Sequence, residues 1–134
     1  MEDCKKIIKD QTVYAIIVKS EYTPKQTKFL TDDKDLQQLG FIVYEAGGNI
    51  RPHAHKKHTR TINRTTETLI VKKGIVEYEI YDKDQNFIAN GLIKEGDIIA
   101  LLDGGHGFKI IEDAILIEIK QGPFLSTEKD KKRF

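Results

Sequence analysis

This 134-residue chain has one cysteine, four histidines and no long apolar run, and its charges nearly cancel. Each shortage excludes something. The single thiol, Cys4, cannot form an internal disulfide, which suits a reducing compartment. No stretch approaches the ~20 apolar residues of a membrane-spanning helix. The first ten residues mix acids and lysines without an apolar centre, so no secretory leader is expected and a cytoplasmic location is. Lysine and arginine number 22 against 21 acids, a net charge of +1, which argues against nucleic acid or a membrane surface as partner. The one basic run, Lys129 to Arg133, is interrupted by Asp130 and reads as a frayed, solvated tail. There is no internal repeat and no low-complexity stretch. The length fits a single domain with a real core.

What is present is β-patterned. Met1 to Gln11 is polar, with room for a short helix at most. Val13 to Lys19 is β-branched and aromatic and reads as a strand. Lys28 to Leu30 suits a second short strand. Thr31 caps a predicted short helix that runs through Leu39 and is stopped by Gly40. Phe41 to Ala46 is again strand-like. Glu67 to Lys72 is a predicted strand, Lys73-Gly74 a turn, and Ile75 to Tyr81 an alternating strand. Asp82 to Asn86 reads as a hairpin loop, Phe87 to Ala89 as its return, and Asn90-Gly91 as a tight turn. Glu95-Gly96-Asp97 is a further turn, Ile98 to Leu102 a buried strand, and Gly104 to Gly107 a loop re-entering at Phe108 to Ile111. Ala114 to Lys120 is the last strong strand. Such short strands with frequent turns predict an all-β sandwich or barrel.

Three of the four histidines, His53, His55 and His58, stand within six residues, and the fourth is His106 in a glycine-rich stretch. On a strand, His53 and His55 point to one face. Two imidazoles joined by a carboxylate such as Glu67 can hold a divalent metal. The spacing alone also suits a pair of solvated loop histidines. Glu118 and Lys120 alternate with Ile115, Ile117 and Ile119. If the isoleucine face packs outward against another sheet, these two charges point into the barrel. Otherwise they are ordinary solvent-facing residues.

The stretch Gly48…His53-x-His55…Glu67…Gly74 resembles the first motif of the cupin superfamily, and Gly96-Asp97…Gly104-Gly105-His106 resembles its second. The resemblance spans Gly48 to about Lys120. It implies a small jelly-roll β-barrel with a short N-terminal helix/strand extension. It also implies a metal set of His53, His55, Glu67 and His106, holding Fe, Mn, Ni, Co or Zn. The segments Gly104 to Phe108 and Lys120 to Phe124 further resemble a subgroup of small cupins associated with surface-polysaccharide and sugar-nucleotide metabolism, an analogy rather than a derivation. The chain then divides into an N-terminal extension (1–40), a barrel (41–124) and a charged tail (125–134). Two departures stand out. Eleven residues, Lys56 to Thr66, separate His55 from Glu67, and Leu102 replaces the proline of the second motif, with His106 one residue closer to Gly104 than usual.

The insertion carries Lys56, Lys57, His58, Arg60 and Arg64. Cations at a barrel mouth suit an anionic group, which arginine can hold bidentately. His58 and Arg60 are the candidate catalytic residues there, and a merely solvated charged loop is the alternative. Three functions follow as expectations. One is a metal-dependent cupin enzyme on a small polar, sugar-like substrate. The second is a metal-free isomerase or epimerase using histidine as acid and base. The third is a non-catalytic ligand-binding regulatory module. A homodimer is expected, with the apolar strand Val13 to Lys19 paired across subunits because no partner within the chain is apparent.

Overall fold

The computed structural model describes residues 2–134. Its elements are β1 (Cys4–Lys9), β2 (Thr12–Val18), β3 (Lys28–Phe29), β4 (Gly40–Phe41), β5 (Glu67–Tyr81), β6 (Phe87–Lys94), β7 (Ile98–Leu101), β8 (Gly105–Lys120) and the single-turn α1 (Thr127–Asp130). Every strand pairing is antiparallel. One six-stranded sheet runs β1-β2-β7-β5-β6, with β8 on the other edge of β5. The sheet curls into an open half-barrel, so the fold is all-β.

The curl comes from β5 and β8. These two strands pair from Glu67↔Lys120 to Tyr81↔Gly105, with register shifts clustered between Val71 and Val76. Gly74 sits there at φ +91°, and a Cβ on it would collide with the Asp113 carbonyl oxygen. Bulges of this kind bend a strand and sharpen its twist. A straight strand would separate residues 67 and 80 by about 43 Å. Yet His106, the partner of Ile80, lies beside Glu67.

The concave face buries Ala15, Ile17, Leu69, Val71, Val76, Tyr78, Ile80, Ile93, Ile99 and Leu101. The other face of β2 and β7 buries Ile16, Val18, Ala100 and Leu102 beneath Leu30, Leu39 and Phe41 from the segment that carries β3 and β4. Residues 14–18 of β2 are therefore buried on both faces, as befits a central strand.

Several local expectations are corrected. Residues 4–9, read as polar coil or helix, form β1, an edge strand that needs only Ile7 buried. β2 is hydrogen-bonded to β1 and β7, so it has no free edge to offer another subunit. The sheet therefore begins at Cys4, well before residue 40. No helix forms over 31–39. Side chains compete for the backbone there: Asp35 accepts from the Asp32 N–H, Asp32 from the Lys34 N–H, and the Gln38 amide donates to the Asp32 and Asp35 carbonyls. Strand β4 ends at Phe41 rather than Ala46. Lys73-Gly74 is a bulge inside β5, not a turn. Asn90-Gly91 lies inside β6, where Gly91 faces Tyr78 and a Cβ would stand 2.5 Å from its hydroxyl oxygen. The loop expected at 104–107 is already strand from Gly105 onward.

Candidate functional site

Glu67 opens β5 on the concave face. Leu101 of β7 is its partner on one side and Lys120 of β8 on the other. Its side chain is only 8% exposed and ends 3.5 Å from His106 Nε2. His106 reaches this point from the far end of the β5–β8 ladder because the sheet curls. It remains about one-third exposed, next to Phe108, and is thus open to a ligand. The register puts Glu118 and Lys120 on the face of Glu67, and these two charges pair at 3.8 Å. Ile115, Ile117 and Ile119 on the opposite face are exposed rather than packed against another sheet, and the Glu118 side chain is itself 42% exposed, so this end of β8 carries its two charges at a solvent-accessible rim. The site is thus a polar patch, Glu67–His106–Glu118–Lys120, at the margin of an apolar concave core.

The imidazole of His106 holds the Glu67 carboxyl below the usual carboxylate range, against burial, which pushes it up; Glu118 and Lys120 add to the lowering. Glu67 is accordingly an anion at neutral pH, an acceptor for a cation or an orienting partner for the imidazole. Its position is braced from the preceding residue. Thr66 is buried, its N–H donates to Gln121 Oε1 at 2.8 Å, and the Gln121 amide donates to its hydroxyl.

The other half of the predicted metal set is placed differently. His53 and His55 lie in residues 42–66, which form no strand or helix, and both are exposed. Their rings are 5.4 Å apart. His53 Nδ1 is 2.8 Å from the Arg51 carbonyl oxygen. That contact makes Nδ1 the donor and leaves Nε2 as a free acceptor, an arrangement common in metal-binding histidines. Tyr44 and Asn49 to His53 line a shallow open groove of about 530 Å³. Among the described residues, no three His, Cys, Asp or Glu side chains converge as a metal-ligand set. The donor types fit a divalent ion, and the structure brings Glu67 and His106 together but leaves His53 and His55 outside that pair.

His58 and Arg60 are exposed on the same segment and make no hydrogen bond or ion pair among the described residues. Arg64 is committed elsewhere: it donates to the Leu102 carbonyl at 3.0 Å and pairs with Asp103 at 3.7 Å. Lys120 and Glu118 join the site without having been among the leading candidates. Their signal was the isoleucine alternation of the last strand. No protein-family model, curated protein or solved structure matches the chain.

Proposed function

We propose that this chain is a metal-binding protein of the cupin type that takes a small polar, sugar-like and anionic substrate at the mouth of its half-barrel. One observation carries the reading. Glu67 and His106, drawn from the two motif-like stretches and 39 positions apart in sequence, meet as a nearly buried carboxylate and a reachable imidazole. The carboxylate is ionised, and His53 presents a free Nε2. His53 and His55 belong to a segment without regular backbone pairing, so bringing them to Glu67 breaks no strand. A divalent ion held by His53, His55, Glu67 and His106 would supply Lewis-acid polarisation of the substrate or activate a water. Lys120 offsets the charge of the two glutamates, and the exposed Arg60 and His58 are free to meet an anionic group.

Metal content of protein purified without chelator tests this directly. We expect about one divalent ion per chain, lost in Glu67→Gln and in the His53→Ala/His55→Ala double variant. Protein with no metal at all would remove this reading and promote the second. In that one His106 is a metal-free acid and base of an isomerase or epimerase, and Glu67 orients its ring. The existing carboxylate–imidazole pair favours it. We further propose a homodimer whose contact is not β2 but the β8 edge left unpaired among the described residues, with its exposed Ile115, Ile117 and Ile119. Sedimentation equilibrium giving a monomer at micromolar concentration would refute that assembly.

A further inference from the structure

A cavity of about 370 Å³ opens on the other face of the sheet from Glu67. Strands β1 and β2 supply one wall, and the turn that follows Leu30 supplies the other. The volume falls in the range of roughly 300–1,000 Å³ typical of small-molecule sites. The floor is apolar: Ile16 and Leu30 are buried, and Val13 beside them is half-buried. The rim is charged, and it carries both signs. Lys6 shares the face of the floor because the register pairs it with Ile16. Lys34, Asp32 and Asp35 come from the turn. Arg64 and Asp103 complete the rim, but these two pair with each other at 3.7 Å. The other two lysines and two acids form no ion pair among the described residues. Asp32 accepts the Lys34 N–H and Asp35 accepts the Asp32 N–H, each through one carboxylate oxygen, which leaves the second oxygen of each free among the described residues.

We propose that this cavity binds a small zwitterion, an aliphatic α-amino acid. Lys6 and Lys34 take its carboxylate, Asp32 and Asp35 take its ammonium, and the apolar floor meets its side chain. Charge balance selects this class. A ligand of one sign would meet two like charges along with two opposite ones, and like-charge juxtaposition is costly. An uncharged apolar ligand would desolvate four charges without pairing any of them. A ligand with both signs pairs them all. The turn is also fixed before the ligand arrives. The Asp35 N–H donates to the Asp32 carbonyl at 3.0 Å, the Gln38 amide donates to the Asp32 and Asp35 carbonyls, and the Leu39 N–H donates to the Thr31 hydroxyl. Such bracing lowers the ordering cost of ligand capture. Neither a metal nor the Glu67–His106 pair enters this binding, so it stands or falls separately from the half-barrel site.

L-leucine is the probe, titrated into the full chain at constant pH and ionic strength while backbone amide resonances are followed. The expected result is saturable shifts at Lys6, Val13, Ile16, Leu30 and Asp35 at millimolar concentration or below. Isocaproate keeps the side chain and the carboxylate, and isoamylamine keeps the side chain and the ammonium. Neither should saturate over the same range. Glycine should bind about tenfold more weakly than L-leucine, since it has no side chain to cover the floor. Lys6 and Lys34 are both exposed, so Lys6→Gln with Lys34→Gln should leave the core resonances in place. The same double variant should weaken L-leucine binding about threefold or more, through loss of two surface charge contacts. Binding of either singly charged analogue as tightly as L-leucine would overturn the zwitterion assignment, and glycine binding equally well would overturn the aliphatic one. Unchanged affinity in the lysine variant, or no saturable shift with L-leucine, would overturn the site itself. Shifts confined to Glu67, His106 and Lys120 would do the same and assign the ligand to the half-barrel.

Discussion

The β5–β8 ladder and the 42–66 segment each carry half of the predicted metal-ligand set, and they are built in opposite ways. The ladder places Glu67 and His106 by backbone register, bulge and a buried apolar face. The segment carries His53, His55, His58 and Arg60 with no strand or helix, and its large apolar residues Ile42, Tyr44, Ile50 and Ile62 are exposed. One half of the predicted pattern is therefore preorganised, and on the proposed metal reading the other half would have to be recruited. A ligand that joins them pays the ordering of only one side. This makes the comparison testable at the level of stability, titration and protection.

The largest expected effect sets core against segment. Ile99 is fully buried between β2 and β5, so Ile99→Ala should cost about 2–5 kcal/mol. Ile50→Ala, on the segment, should stay within about 0.5 kcal/mol. Urea unfolding with both variants measures the contrast. Comparable losses would mean that 42–66 is packed in solution and the two regions are not different in kind.

The second effect is on pH. The Glu67 carboxyl is lowered in the folded state, chiefly by His106. Its stabilising contribution is therefore complete above the unfolded carboxylate value of about 4.3 and is lost as pH falls through the lower folded value. Glu67→Gln should be less stable than the parent at neutral pH, and the gap should close below about pH 4. Thermal unfolding across pH 3–7 reads it. A gap that is constant with pH would show that Glu67 is not held as an anion by His106.

How much of this was legible beforehand depends on range. Alternation over Ile75 to Tyr81 is a local property, and it marks half of β5 correctly. Local signals failed where a distant neighbour decided the outcome. Asn90-Gly91 has the composition of a hairpin turn, yet Gly91 is there because the Tyr78 ring crosses it. Lys73-Gly74 looks the same as a turn and is the bulge that curls the sheet. β1 carries only one buried residue, Ile7, too little to raise a pattern. The residue types of the site were legible, and so was the shared face of Glu118 and Lys120 on the last strand. The meeting of Glu67 with His106 was not, because it follows from curvature accumulated along the whole ladder.

Recruitment gives the third effect. Lys56, Lys57 and Arg60 are exposed on an unpaired segment, so trypsin should cut there first. A divalent ion that joins His53 and His55 to Glu67 and His106 should slow cleavage at these sites by about an order of magnitude, as expected when a ligand binds only the ordered form. Cuts elsewhere should be unaffected. Mass analysis of the first fragments decides it, and equal rates with and without Mn, Ni, Co or Zn would leave the two halves permanently separate.

The smallest effect separates two arginines four residues apart. Arg64 sits at the base of the segment, where its guanidinium donates to the Leu102 carbonyl and pairs with Asp103, which Lys83 also approaches at 3.8 Å. Arg64→Ala removes a hydrogen bond from a charged donor to the corner between β7 and β8. The loss should be about 1 kcal/mol, because the side chain is partly exposed and solvent screens much of the pairing. Arg60 has no such partner among the described residues, so Arg60→Ala should leave the melting temperature within error. If the insertion helps to hold the substrate, Arg60→Ala should still weaken binding of an anionic ligand with metal content unchanged. The pair thus asks where ordered structure ends along the chain. Loss of stability at Arg64 alone places the boundary between residues 60 and 64. Loss at both would extend the ordered region into the insertion and make Arg60 a structural residue. Loss at neither would mean that the corner contact is replaced by water at no cost.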